Sequence, residues 1–179
     1  MMETSLESLK VKAQNITWVF TDVDGTLTDG SVYYSPQGEL LKKFSLRDGT
    51  GFFLLRQAGI KVGIITGENS PIVEQRAKKL NVDKLILGGV PKVTKLKDFL
   101  DSEGLTFDNI AYVGDDLNDI KLLRFCGLGF AVADADPRAK DAADIVVSKS
   151  GGNCGFRESV ESLLNLKDID IDKIIEVLL

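Results

Sequence analysis

Asp22 and Asp24 stand two residues apart in the stretch TDVDGTLTDG (residues 21–30), directly after a short apolar run. If Asp22 attacks a phosphoryl group, a second carboxyl beside it can protonate the departing alkoxide. The same group can later deprotonate the water that hydrolyses the aspartyl-phosphate. Gly25 permits the sharp turn that aims both carboxylates at the strand end. A further acidic group, Gly114-Asp115-Asp116-Leu117-Asn118-Asp119, follows another apolar run. Three or more carboxylates in one place repel unless a cation joins them, and hard oxygen ligands with room for water suit Mg2+. Thr66 and Lys92 lie where a hydroxyl and an ammonium could hold phosphoryl oxygens, each such donor contributing roughly 3 kcal/mol to a transition state.

These groups need a scaffold that brings them to one edge. Residues 16–21 read as a buried strand, rich in β-branched and aromatic side chains. Residues 31–34 and 39–44 flank the turn signal Ser35-Pro36-Gln37-Gly38, which predicts a projecting hairpin. From Gly49 onward the pattern alternates. A helix over 50–58 precedes a strand over 60–65. A helix capped by Ser70, with Pro71 at its first position, runs to Leu80. Strands over 84–87, 110–113, 128–132 and 144–147 interleave with helices over 93–102 and 117–125. A loose helical pattern covers the first dozen residues, and about 156–179 form a closing helical tail. Near-continuous apolar strands separated by helices imply an α/β fold, a Rossmann-like parallel sheet covered on both faces, with ligands gathering at the carboxyl ends of the strands.

Composition narrows the chemistry. The chain has 179 residues, enough for one well-buried core, so residues 1–179 are expected to form a single domain. The net charge of -5 argues against general nucleic-acid binding, which needs clustered Lys and Arg. There is no histidine, which excludes Ser-His-Asp hydrolases, phosphohistidine phosphatases and His-ligated zinc enzymes. Neither cysteine has an Arg six positions on, and the glycine-rich nucleotide-binding loops are missing. Cys126 and Cys154 lack metal-type spacing, and no cleavable apolar leader is evident, so a cytoplasmic, membrane-free location is expected. The surviving chemistry is carboxylate chemistry.

The four motifs in this order, each after an apolar strand, resemble those of the haloacid dehalogenase superfamily: Asp22-Val23-Asp24-Gly25-Thr26, Thr66, Lys92, and Gly114-Asp115-Asp116 with Asp119. That resemblance implies Asp22 as nucleophile and Asp24 as acid/base. It also implies Mg2+ bound by the Asp22 carboxylate, the Asp24 backbone carbonyl and Asp115, with Asp116 and Asp119 orienting their neighbours. The stretches 29–65 and 67–91 leave no room for a cap domain. The hairpin is then the natural piece to pair with copies of itself, which suggests a ring-like homo-oligomer, a tetramer as first choice.

The runs FSLRDG, YVGDDLND and GGNCGFRE further resemble the capless sugar-acid phosphatases of that superfamily. This implies a 2-keto-3-deoxy sugar-acid phosphate as substrate, first 3-deoxy-D-manno-octulosonate 8-phosphate. The substrate would lie among Asp24, Ser45, Arg47, Asp48, Gly49, Glu68, Arg76, Lys92 and Asn118. Arg47 and Arg76 are suited to a carboxylate, which a guanidinium grips through two parallel bonds. Glu68 stands where the octulosonate enzymes typically have Arg and Phe53 replaces another. These departures favour the nine-carbon esters of keto-deoxynononate or N-acetylneuraminate as the alternative. A receiver-type signalling domain and a non-catalytic assembly module are the rivals from other classes, but a receiver's phosphoacceptor sits on a later strand.

Overall fold

The computed structural model describes residues 5–176. In chain order the strands are β1 (Trp18–Thr21), β2 (Thr28–Ser35), β3 (Gly38–Phe44), β4 (Lys61–Ile65), β5 (Lys84–Ile86), β6 (Ile110–Gly114), β7 (Leu128–Ala131) and β8 (Ile145–Val146). The helices are α1 (Leu6–Gln14), α2 (Leu46–Gln57), α3 (Pro71–Leu80), α4 (Lys92–Glu103), α5 (Ile120–Phe125), α6 (Pro137–Ala142), α7 (Gly155–Leu166) and α8 (Ile171–Ile175). Six strands form one parallel sheet in the order β5-β4-β1-β6-β7-β8, and β2 with β3 forms a separate antiparallel hairpin. The architecture is the α/β fold with projecting hairpin that the sequence implies.

β1 and β6 are buried along their whole length, and that is why they read as continuous apolar runs rather than alternating ones. Thr21 pairs with Ile64 of β4 on one side and with Val113 of β6 on the other, so three strand ends stand side by side. The chain winds outward in opposite directions from β1, and such a switch point opens a crevice beyond the carboxyl ends. The sheet is anchored by aromatic packing of Trp18, Phe20 and Phe99, with ring centroids 5.0–5.6 Å apart. Phe52 of α2 packs on Phe156 of α7 at 4.6 Å.

Several local expectations are corrected. α2 starts at Leu46, four residues before the expected 50, because Ser45 caps it and accepts from the Asp48 amide at 3.3 Å. Ser70 stands at the start of α3, but its hydroxyl does not cap; it donates to Glu39 of the hairpin at 2.5 Å. α5 begins at Ile120, because residues 116–119 are held in a turn by the Asp119 carboxylate. α6 was not foreseen, although Asp136 as N-cap with Pro137 at the first position marks it. Residues 1–4 and 177–179 of the two expected terminal helices lie outside the described residues. Among the described residues no helix is long and apolar enough to cross a membrane.

Candidate active site

Asp22 follows β1 directly and is held in line with the sheet by its amide, which donates to the Val113 carbonyl at 3.0 Å. Its carboxylate meets Lys92 at 2.7 Å, and Lys92 meets Asp119 at the same distance. All three are buried. The Tyr112 hydroxyl donates to Asp119 at 2.6 Å, and the other Asp119 oxygen accepts from the amides of Asp115 and Asp116 at 2.9 and 3.2 Å. Asp119 thus fastens the β6 loop while lending its charge to Lys92. Tyr112 lies within an apolar run and reads from sequence as core alone, so its hydrogen bond carries no sequence signal.

Burial drives the Asp22 carboxyl up to about 8, with the Asp119 charge adding and Lys92 opposing. Burial likewise pushes Asp115 up to about 7, against the hydrogen bond from Thr26 Oγ1 at 2.7 Å. Burial works against the charge on Lys92, but the Asp22 and Asp119 carboxylates prevail and hold it above its ordinary value. Both carboxyls therefore sit where negative charge is undercompensated.

Oxygens of Asp22, Asp115 and Asp119 lie within 4.8 Å of one another. Asp119 spends its oxygens on Lys92, Tyr112 and two amides, which leaves Asp22 and Asp115 as the carboxylates that could hold a cation. Gly25, with φ 89°, makes room for them: a Cβ there would come 2.0 Å from Asp115 Oδ2. A hard divalent cation fits this all-oxygen, charge-deficient donor set.

The turn after β1 is pinned from behind. The Gly152 amide donates to the Thr26 carbonyl at 3.0 Å, and Gly151 approaches so closely that a Cβ would sit 1.7 Å from the Gly25 oxygen. Asp48, fully buried, accepts from the amides of Cys154 and Arg157 at 3.2 and 3.0 Å and so ties this loop and the start of α7 to α2. Its carboxylate is occupied by that task. Thr66 follows β4 directly and is buried, with its hydroxyl oxygen accepting from the Glu68 amide at 3.2 Å.

Asp24 Oδ1 is paired with Lys42 of the hairpin, a residue the sequence did not single out. Asn118 is exposed and lines a cavity of about 220 Å³ with Val90, Lys92 and Leu117, at the mouth of the site. Glu68, on the loop after β4, and Asp116, on the loop after β6, are exposed. Arg76 lies across the start of α2, donating to the Ser45 carbonyl at 2.8 Å and stacking over Phe44 at 5.3 Å. Gly49 packs close by, a Cβ there lying 3.5 Å from Arg76 Nη2. Arg47 is exposed and lines another cavity, of about 380 Å³, with Lys149, Cys154 and Arg157. The structure thus gathers Asp22, Thr66, Lys92, Asp115 and Asp119 at the strand ends, groups Ser45, Gly49 and Arg76 beside α2, and leaves Arg47 apart.

Comparison with known proteins agrees with this geometry. Residues 84–153 match the family model of the haloacid dehalogenase-like hydrolases. The chain is 41% identical over 156 residues to the 3-deoxy-D-manno-octulosonate 8-phosphate phosphatase of Haemophilus influenzae, covering 87% of each chain. The crystal structure of the Moraxella catarrhalis 3-deoxy-D-manno-octulosonate 8-phosphate phosphatase, in complex with a magnesium ion, a phosphate ion and KDO, superposes with a TM-score of 0.91 at 34% identity over 98% of this chain and 100% of that one. The cobalt-bound Haemophilus influenzae enzyme superposes with a TM-score of 0.83 at 41% identity, covering 88% and 92%.

Proposed function

The chain belongs to the haloacid dehalogenase-like hydrolases and is a phosphoric monoester hydrolase of that type, and on that premise we propose that it hydrolyses 3-deoxy-D-manno-octulosonate 8-phosphate with Mg2+. The observation that carries the chemistry is the buried Asp22–Lys92 pair at 2.7 Å, with Thr66 and Asp115 at the adjoining strand ends. An Asp22 oxygen attacks phosphorus as the bond from phosphorus to the sugar oxygen breaks, and Asp24 gives its proton to that oxygen. Asp24 then takes a proton from water, which attacks phosphorus, frees Asp22 and releases phosphate.

Lys92 and Thr66 hold the phosphoryl oxygens as charge develops on them. Asp22, Asp115 and the Asp24 backbone carbonyl would hold Mg2+, whose charge offsets that of nucleophile and ester. Asp116 and Asp119 orient the loop. Asn118, Glu68, Ser45, Gly49 and Arg76 stand around the sugar acid, while Arg47, which faces another cavity, and Asp48, whose carboxylate ties α2 to α7, stand back from it.

A second reading, a nine-carbon ester, is favoured by one feature: Glu68, beside Thr66, presents an acid where an octulosonate site offers Arg. An acid there could accept bonds from extra hydroxyls or an amide.

Tyr33, Tyr34, Leu40 and Leu41 are exposed on the hairpin. They support a homo-oligomer, a tetramer as first choice, assembled through it within a single-domain protomer. Cys126 and Cys154 are free thiols, in keeping with a cytoplasmic location.

The test is phosphate release with Mg2+ from the eight-carbon ester and both nine-carbon esters in parallel, with Asp22→Asn as control. A preference of about tenfold, roughly 1.4 kcal/mol, for the eight-carbon ester supports the first reading, and the same margin for a nine-carbon ester supports the second. Release no faster than the control from all three sinks both.

A further inference from the structure

Lys42 is out of character for its place. The hairpin around it is exposed, with Tyr33, Tyr34, Leu40 and Leu41 all more than half open to solvent, yet only 2% of the Lys42 side chain is accessible. Lysine is almost never buried this far unless paired. Its ammonium is paired with Asp24 Oδ1 and lies 3.1 Å from Glu39 Oε1. Glu39 in turn accepts from the Ser70 hydroxyl at 2.5 Å. A continuous polar chain therefore runs from the start of α3 through the hairpin to the catalytic turn.

The backbone is built to allow it. Tyr33 pairs with Leu41 and the next residue, Tyr34, pairs with Glu39, so Leu40 is one residue extra on β3. In a regular strand, residues three apart point to opposite faces. The bulge at Leu40 resets that alternation and turns Glu39 and Lys42 to the same side. Glu39 then holds the ammonium from one direction while Asp24 receives it from the other. Lys42 engages a single oxygen of Asp24, which leaves Oδ2 available to carry the proton.

We propose that Lys42 is a positioning residue: delivered by the bulged hairpin and braced by Glu39, it aims the Asp24 carboxyl at the departing oxygen of the substrate. This rests on the reading of Asp24 as acid/base.

The experiment compares Lys42→Met with the unsubstituted protein on three esters: the preferred sugar-acid phosphate, a neutral alkyl phosphate that the unsubstituted protein cleaves, and 4-nitrophenyl phosphate. The nitrophenolate departs without a proton, so a misaimed acid costs nothing there in kcat/KM, which ends with that departure and leaves out the later hydrolysis of the aspartyl-phosphate. A positioned acid contributes about 10²–10⁴-fold, so kcat/KM should fall by about tenfold or more on both alkyl esters and by less than about threefold on the aryl ester. Retained aryl hydrolysis also reports that the variant is folded. An equal loss on all three, or no loss on any, overturns the proposal. So does a loss confined to the sugar acid, which would make Lys42 a reader of the substrate carboxylate. If the unsubstituted protein cleaves none of them, it is the phosphatase reading that fails.

Discussion

Removing a metal ligand ordinarily weakens a metalloprotein, but Asp115→Asn, at a proposed ligand, should stabilise this one when no metal is present. Burial raises the Asp115 carboxyl from 3.8 to about 7. A group whose folded value lies above its unfolded value contributes stability that is fully present below about 4 and is lost as pH rises through about 7. The shift of roughly three units, at about 1.4 kcal/mol each, sets an upper bound of about 4 kcal/mol for the burden this charge places on the metal-free protein at pH 8. Asparagine keeps an oxygen to accept from Thr26 and sheds the charge. At about 2–4 °C per kcal/mol for a domain of this size, the variant should melt on the order of 5–10 °C above the unsubstituted protein in chelator at pH 8. The two should melt together near pH 4. Added Mg2+ should raise the melting temperature of the unsubstituted protein far more than that of the variant. The assay is thermal unfolding across pH, with chelator and with Mg2+. If Asp115→Asn melts at or below the unsubstituted protein in chelator at pH 8, burial does not penalise that charge. The electrostatic case for a cation at this site is then wrong.

Lys92→Met leaves Asp22 and Asp119 buried together without their shared ammonium. The expected cost is about 3–5 kcal/mol of stability at pH 8 and loss of turnover, read by denaturant unfolding and phosphate release; turnover within about tenfold of the original would contradict the role given to this pair. Gly151→Ala forces a methyl to within 1.7 Å of the Gly25 oxygen. Relief by backbone displacement should cost about 1–3 kcal/mol and weaken Mg2+ binding, measured as the Mg2+ dependence of the melting temperature. An unchanged Mg2+ midpoint would show that the loop does not support the catalytic turn.

The four motifs assigned to the site were legible because a parallel sheet imposes a simple rule on sequence. Three of them lie just beyond the buried strands β1, β4 and β6, which are neighbours, so groups more than ninety positions apart along the chain meet, while Lys92 opens α4 after the half-buried β5. The hairpin was legible from its turn, but not what its side chains reach. Reading β3 as a regular strand puts Glu39 and Lys42 on opposite faces, and a single extra residue undoes that inference. Tyr112 was hidden for the opposite reason, since an aromatic in an apolar run gives no hint that its hydroxyl has a partner. Gly49 obscured the start of α2, because a glycine inside a helix looks like a break.

Asp22 and Asp24 are chemically identical and two residues apart, so the different work proposed for them has to come from their surroundings. The Asp22 side chain is 5% exposed and that of Asp24 28%. One turn of backbone therefore separates a dry position from a wet one. A nucleophile needs a fixed line of attack, and Asp22 has it, held by the β6 backbone and by Lys92, a cation that is itself pinned by Asp119. An acid/base must exchange its proton with both an alcohol and a water, and the more open position of Asp24 allows that. What the open position lacks is restraint. The core cannot supply it at the rim of the sheet, so restraint has to come from an element that folds back over the edge. Among the described residues the side chain that does so is Lys42, carried by the hairpin whose outer surface is proposed to meet other copies of the chain. Assembly and proton transfer would then share one structural element, and residues that shape the hairpin would be felt in catalysis without touching the substrate.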